Sequence, residues 1–263
     1  MADRPSFALC EANMTEIVAR LGLSEELAAD GGPAMTLTSE MVPDPVGSMR
    51  RFSADDVATL VYVGITVPMI GLDSHMIYAF TPATSAVPHF TLDSVSSALP
   101  PEAGGGEMLA FHIDLNPRVD PAINPDYLRH CYVPLNDLRA SGLEIDGVTP
   151  ANLTPLQWQV MSAWMMANRA TPEAFEQVGD IVAGYRDHWF GLVENGVPSD
   201  VLGATSADEL AERDARSRAT IFDPTVDPVW DRIGSLLGDE QATQLRIGIR
   251  DSGRGELNTP GGN

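Results

Sequence analysis

Lysine is missing from this 263-residue chain: all sixteen basic residues are arginine, set against 37 acidic ones, for a formal net charge of −21. Such a field repels nucleic acid, anionic membrane surfaces and acidic proteins at long range, so nucleic-acid binding is excluded as a working expectation. The same composition also arises in high-GC or salt-adapted proteomes, and on that account the charge says nothing about function. Cysteine is scarce too. Cys10 and Cys131 lie far apart with no C-x-x-C spacing, which points to reduced structural thiols rather than a disulfide framework or a zinc knuckle. No apolar run approaches the ~20 residues of a membrane span, and the opening MADRPSFALCEANM lacks the basic-then-apolar order of a signal peptide. The expectation is a cytoplasmic protein. There is no P-loop and no G-x-S-x-G, and the GGG at 104–106 sits between two strand-like runs rather than between a strand and a helix, as a dinucleotide fingerprint would require.

What is present is a change of texture along the chain. LCEANMTEIVARLGLSEELAAD, residues 9–30, has apolar residues at helical spacing, and DGGP then stops it. From Arg50 to Leu115 come short runs rich in β-branched and aromatic residues: LVYVGITVP, SHMIYAF, HFTLDSV and EMLAFHIDL. Their connections are too short to hold a crossover helix, so the strands form an antiparallel meander. NPRVDPAINP, with its three prolines, is irregular. Helical patterns follow in NPDYLRHCYVPLNDLRAS, TPLQWQVMSAWMM, TPEAFEQVGDIVAGYRDHWFGLVENG, SADELAERDARSRATIF and VWDRIGSLLGDEQATQLRIGIR. Two open Thr-Pro, a cap followed by proline in the first turn. The longest places Phe175, Val178, Val182, Tyr185, Trp189 and Val193 on one stripe and ends at Gly196. This order predicts an α+β fold, with residues 1–250 as a single domain and 251–263 as a disordered tail rich in glycine.

The chemistry concentrates in PHFTLDSVSS. In a strand, His89, Thr91 and Asp93 share one face while Phe90 and Leu92 point the other way. Either the polar face is wet, as one side of an antiparallel sheet often is, or it lines a pocket that needs an acid. A buried carboxylic acid with a raised pKa can stay protonated near neutral pH and deliver a proton, and His89 could orient it or relay its proton. His112 and Asp114 share the corresponding face of the next strand. His75, His89, His112 and Asp93 could in principle converge on a metal, but no compact ligand motif supports this. Trp158, Met161, Trp164, Met165 and Met166 form an apolar patch after Thr154, read as core packing that would also suit a flat ligand.

With VPHFTLDSVSS, GGGEMLAFHIDLNPRVD and ERDARSRATIF in sequence order, the chain resembles the ferredoxin-dependent bilin reductases, and within them the red chlorophyll catabolite reductases. The resemblance spans residues 50 to 250 and rests on order and spacing rather than on a single motif. It implies a three-layer α/β/α sandwich with a central antiparallel sheet. It also implies reduction of a linear tetrapyrrole, or a similar conjugated molecule, lying between the sheet and the C-terminal helices. On this resemblance no flavin or metal is bound, electrons come one at a time from reduced ferredoxin, and side chains give protons. Asp93 would be the acid on the sheet, Asp214 the acid on the C-terminal helix, and His89 their helper; His112 and His75 would contact substrate, although His75 stands one residue out of register with the family's histidine. In ERDARSR, the four charges around Asp214 equally suit a solvated helix face. The chain would act as a monomer or homodimer. An acidic ferredoxin wants a basic patch, and Arg213, Arg216 and Arg218, with Arg50 and Arg51, are the candidates. A non-catalytic tetrapyrrole carrier and a natural-product tailoring reductase are the alternatives.

Overall fold

α1 (Pro5–Leu21) carries proline in its first turn and buries Cys10, Met14 and Ile17, one stripe at spacings of four and three. It ends at Gly22, whose φ of 64° is left-handed, and not at Asp30 as its apolar spacing predicts. The residues after that glycine are pulled into a sheet: β1 (Ser24–Glu26) pairs with β3 (Val42–Ala54). The computed structural model describes residues 4–55, 57–99 and 105–254. The expected tail falls mostly outside them. Within the described part, Ser252 is buried and Arg254 reaches back to Asp214.

The expected meander is β4 (Ala58–Val67), β5 (Leu72–Phe80), β6 (His89–Ala98) and β7 (Glu107–Asn116). The sheet extends beyond it on both sides. β2 (Met35–Ser39) and β1 join β3 at one edge; β8 (Val148–Pro150) and β9 (Met166–Ala170) complete the other. The described residues thus form nine strands in the order β1-β3-β4-β5-β6-β7-β9-β8, with β2 also on β3 and every pairing antiparallel.

Helices cover both faces. On one lie α1, α2 (Pro125–Cys131), α3 (Asn136–Leu143) and α5 (Pro172–Asn195), packed on Leu60, Ile77, Phe90, Leu92, Phe111 and Ile113. α5 runs from a Thr171 cap to Gly196, and its Val178, Val182, Tyr185 and Trp189 are fully buried. After the short α6 (Ser199–Leu202), α7 (Ala207–Ile221) starts from a Ser206–Glu209 capping box. The expected closing helix is two, α8 (Val229–Leu237) and α9 (Asp239–Arg250), broken at Gly238. Their Trp230, Ile233, Leu237, Leu245 and Ile249 pack with Phe222 on Val61, Val63, Ile65 and Phe80 of the second face. The result is a three-layer α/β/α sandwich. No helix among the described residues is long and apolar enough to cross a membrane.

One expected helix is largely absent. α4 (Pro155–Val160) has its Thr154–Gln157 capping box but stops after six residues, and Met166 to Ala170 are strand β9. Propensity favoured continuation; tertiary bonding won. The fully buried Asp114 carboxylate accepts both the backbone N–H and the hydroxyl of Ser162, which ends the helix. The Trp and Met residues after Thr154 are thereby divided between an exposed helix, an irregular turn and the sheet.

Candidate functional site

The second face of the sheet changes character across its width. Over β3 to β5 it is apolar; over β6 and β7 it carries His89, Thr91 and Asp93 beside His112, Asp114 and Asn116. The pairing sets Asp93 opposite His112 and Thr91 opposite Asp114, so strand parity alone places all of them on one side. Phe90 and Leu92 lie on the other, fully buried.

His112 Nδ1 stands 3.2 Å from Asp93 Oδ2. Both residues line a chamber of about 40 Å³, closed by Tyr78, Thr91, Asn116, Gln157, Val160, Met161 and Asp227 among others. The second oxygen of Asp93 and Nε2 of His112 are buried without a protein partner. Buried polar atoms rarely stand unpaired, and in one pocket they mark a place for chemistry. Burial pulls the His112 pKa down, but the Asp93 hydrogen bond and the charges of Asp93, Asp114 and Asp227 outweigh it, and the net shift is upward. With Nδ1–H donated to Asp93, an imidazolium here presents Nε2–H as a free acid.

Asp227, which the sequence did not single out, faces the chamber from the turn before α8. Its Oδ1 accepts the Val229 N–H at 3.0 Å and Gln157 Nε2–H at 3.1 Å. Burial and the nearby Asp93 charge raise its pKa against those bonds. Burial raises the Asp114 carboxyl as well, against His112 and the Ser162 bonds.

Asp214 belongs to a different cluster. It is fully buried on α7, neither on a solvated helix face nor on the chamber wall. His89 Nδ1 accepts the Thr81 N–H at 3.1 Å, so its proton sits on Nε2 and is donated to Asp214 Oδ1 at 2.8 Å. Arg218 and Arg118 approach the same oxygen at 3.0 and 3.4 Å. Burial works to raise the Asp214 pKa, yet the His89 hydrogen bond and the two arginines hold it well below the usual carboxylate range. His89 is kept neutral by burial and by Arg118. Asp214 is therefore a fixed anion that ties α7 to β6, and along the strand His89 lies about 13 Å from Asp93.

His75 faces away from both clusters. It pairs across the strands with Ser94, one position off Asp93, and so lies on the opposite face beneath α1. There its Nε2 is 3.2 Å from Asp73 Oδ1, and Tyr62 Oη is 2.7 Å from its Nδ1. The three histidines of the imagined metal site are thus kept apart. Among the described residues no three His, Cys, Asp or Glu side chains gather as a metal ion requires.

Beyond Val160 and Met161 the chamber abuts an open groove of about 450 Å³, floored by Arg213, Arg216, Ser217 and Thr220 of α7 and walled by Asp120 and Pro121. Of the arginines expected to form a basic patch, Arg213 has only Asp120, at 3.9 Å, and the others are paired or enclosed. Arg50 is held by Glu25, Arg51 by Glu26, Arg216 by Glu212, and Arg218 is buried.

No family model and no curated protein matches the sequence. A solved structure that shares the fold is phytochromobilin synthase from tomato in complex with biliverdin, at a TM-score of 0.70 and 20% identity over 96% of this chain and 84% of that one.

Proposed function

We propose that this protein is an oxidoreductase of the ferredoxin-dependent bilin reductase kind, which reduces a linear tetrapyrrole of the bilin or chlorophyll-catabolite type, or a similar conjugated molecule. The carrying observation is the half-buried Asp93–His112 pair, each with a buried polar atom left unpaired, between the sheet and the C-terminal helices. Its setting supports the reading, because a protein with this fold is known in complex with biliverdin.

The reaction adds two electrons and two protons across one conjugated double bond. Electrons arrive singly from an external one-electron donor of the reduced iron–sulfur type, with no flavin or metal resident in the chain. Each reduction makes the π-system more basic, and the position of the acid fixes which carbon or nitrogen takes the proton. His112 donates Nδ1–H to Asp93, so the acid is held in place by its partner. His112 Nε2–H is its exposed end and Asp93 its anchor. Asp227, raised by burial on the facing wall, is placed to deliver the second proton. Asp214 and His89 hold the wall in position. His75 serves the far face, where it braces α1.

Biliverdin should bind with a shifted visible spectrum, and anaerobic addition of reduced ferredoxin should bleach or shift the long-wavelength band. No spectral change at micromolar protein and pigment overturns the substrate class. A second reading has its own support: the chamber holds room for only about two or three waters, and the arginines suited to ferredoxin docking are paired. Binding without turnover, under chemical as well as protein reductants, favours a tetrapyrrole carrier.

A further inference from the structure

A ligand site ordinarily occupies about 300–1,000 Å³. The chamber over Asp93 and His112 has about 40 Å³ and the groove beside it about 450 Å³. Val160 and Met161 line both, and are the partition between them.

The partition sits at the end of a weakly anchored element. α4 buries none of its residues, and Leu156 and Trp158 are more than half exposed. A six-residue helix has little intrinsic stability. Besides its contact with α7, what fastens it are side-chain bonds at two points. Gln157 donates to Asp227, and Ser162 gives its N–H and hydroxyl to Asp114 while its hydroxyl accepts the Trp164 N–H. From Trp164 onward the chain is fixed, by Tyr185 Oη–H on the Trp164 carbonyl and then by β9. A cover fastened by a few polar bonds over a buried cleft opens at much lower free energy than the core does.

We propose that Val160 and Met161 are the gate residues of this site, carried on a cover formed by residues 155–162 and latched by Asp114 through Ser162, and that a ligand reaches Asp93 and His112 from the α7 groove by displacing them. Opening joins the two spaces into one of ligand size, floored by α7 and ending at the proton donors. Met161 then limits how deeply a substrate inserts, and so sets which of its atoms meets the acid. The latch couples cover and chemistry, since Asp114 neighbours His112 and loses two hydrogen bonds when Ser162 leaves.

The gate's relevance to substrate rests on the reductase reading; the motion does not, and the two are tested apart. Hydrogen exchange on the intact protein should show amides 156–163 exchanging at least tenfold faster than those of β7, and Ser162→Ala should speed them a further ~10-fold with β6 and α5 unchanged. Protection equal to that of β7 in both proteins overturns the cover. In stopped-flow mixing with biliverdin, Met161→Ala should bind at least ~10-fold faster than the wild type. Equal association rates overturn the gate. Faster exchange in Ser162→Ala, with no biliverdin bound by any variant, sustains the cover and defeats the tetrapyrrole reading.

Discussion

Two histidines on one face of the sheet have opposite fates because their neighbours differ in charge. His89 sits beside Arg118 and Arg218 as well as Asp214, and stays neutral; His112 sits among Asp93, Asp114 and Asp227, and is pushed toward protonation. Ring-resolved NMR titration should find His112 protonating above the ordinary ~6.5 and His89 silent until far lower pH. The consequences for stability run in opposite directions. His112, with its raised folded pKa, contributes stability that is complete below about pH 6.5 and lost as pH rises through its folded value. His89, depressed on folding, contributes stability that is lost as pH falls below about 6.5. Asp93→Asn should bring the His112 midpoint down, because burial then meets less opposing charge, and should slow product formation by ~10²-fold or more with ligand affinity kept. Turnover at the wild-type rate would show the aspartate to be a polar strand residue and nothing more. Strand parity made this half of the site readable: alternation puts His89 and Asp93 on the polar face of β6, and His112 and Asp114 on the polar face of β7. The same parity hid His75, since its position relative to Asp93 depends on cross-strand register, which a single strand does not encode. Asp227 was invisible for another reason. It lies in the turn FDPTVDPV, and only the packing of α8 brings it to the chamber.

Between elements, the informative contacts are those that overrule local propensity. α7 reads as a surface helix, with seven charged residues between Ser206 and Phe222, yet Asp214 and Arg218 face inward and are fully buried. They are matched by Arg118 from the loop after β7 and His89 from β6, partners more than ninety residues away that no helical pattern reveals. Arg218 also stacks on Phe80 at 3.8 Å and donates to the Ser252 carbonyl, joining three segments. Asp214→Asn removes the one anion among two buried guanidinium groups, and should cost about 3–5 kcal/mol in denaturant unfolding. A neutral result would mean that the arginines find water or another acceptor. The folded pKa of Asp214 is depressed, so its contribution is present above about pH 4 and lost as pH falls through the folded value; Asp214→Asn should flatten the acid limb of the stability curve. On the other face, Phe90 packs on Trp189 at 5.6 Å between ring centres and is fully buried. Phe90→Ala should lose about 3–5 kcal/mol of stability while the molecules that remain folded react at an unchanged chemical rate. Burial periodicity predicted α5 and β6 because their packing follows their own pattern. It failed at α4 and β9, where one buried carboxylate on β7 decides the course of the chain.

At the scale of the whole molecule, charge bears on the electron donor that the proposed reduction requires. The −21 net charge is not relieved by a local patch at the expected places: Arg50, Arg51 and Arg216 each face a glutamate, Arg218 is enclosed, and Arg213 has Asp120 at 3.9 Å. Steering between two acidic proteins is therefore repulsive at distances beyond a few ångströms, and salt weakens repulsion as it weakens attraction, with a screening length near 10 Å at 0.1 M. If the protein accepts electrons from an acidic ferredoxin, its kcat/KM for that donor should rise as ionic strength increases from about 0.02 to 0.2 M, the reverse of an enzyme with a basic docking face. A neutral chemical reductant should show no such trend, which separates docking from any effect of salt on the site. A steep fall with salt for the acidic donor would require an attractive face that these pairings do not provide.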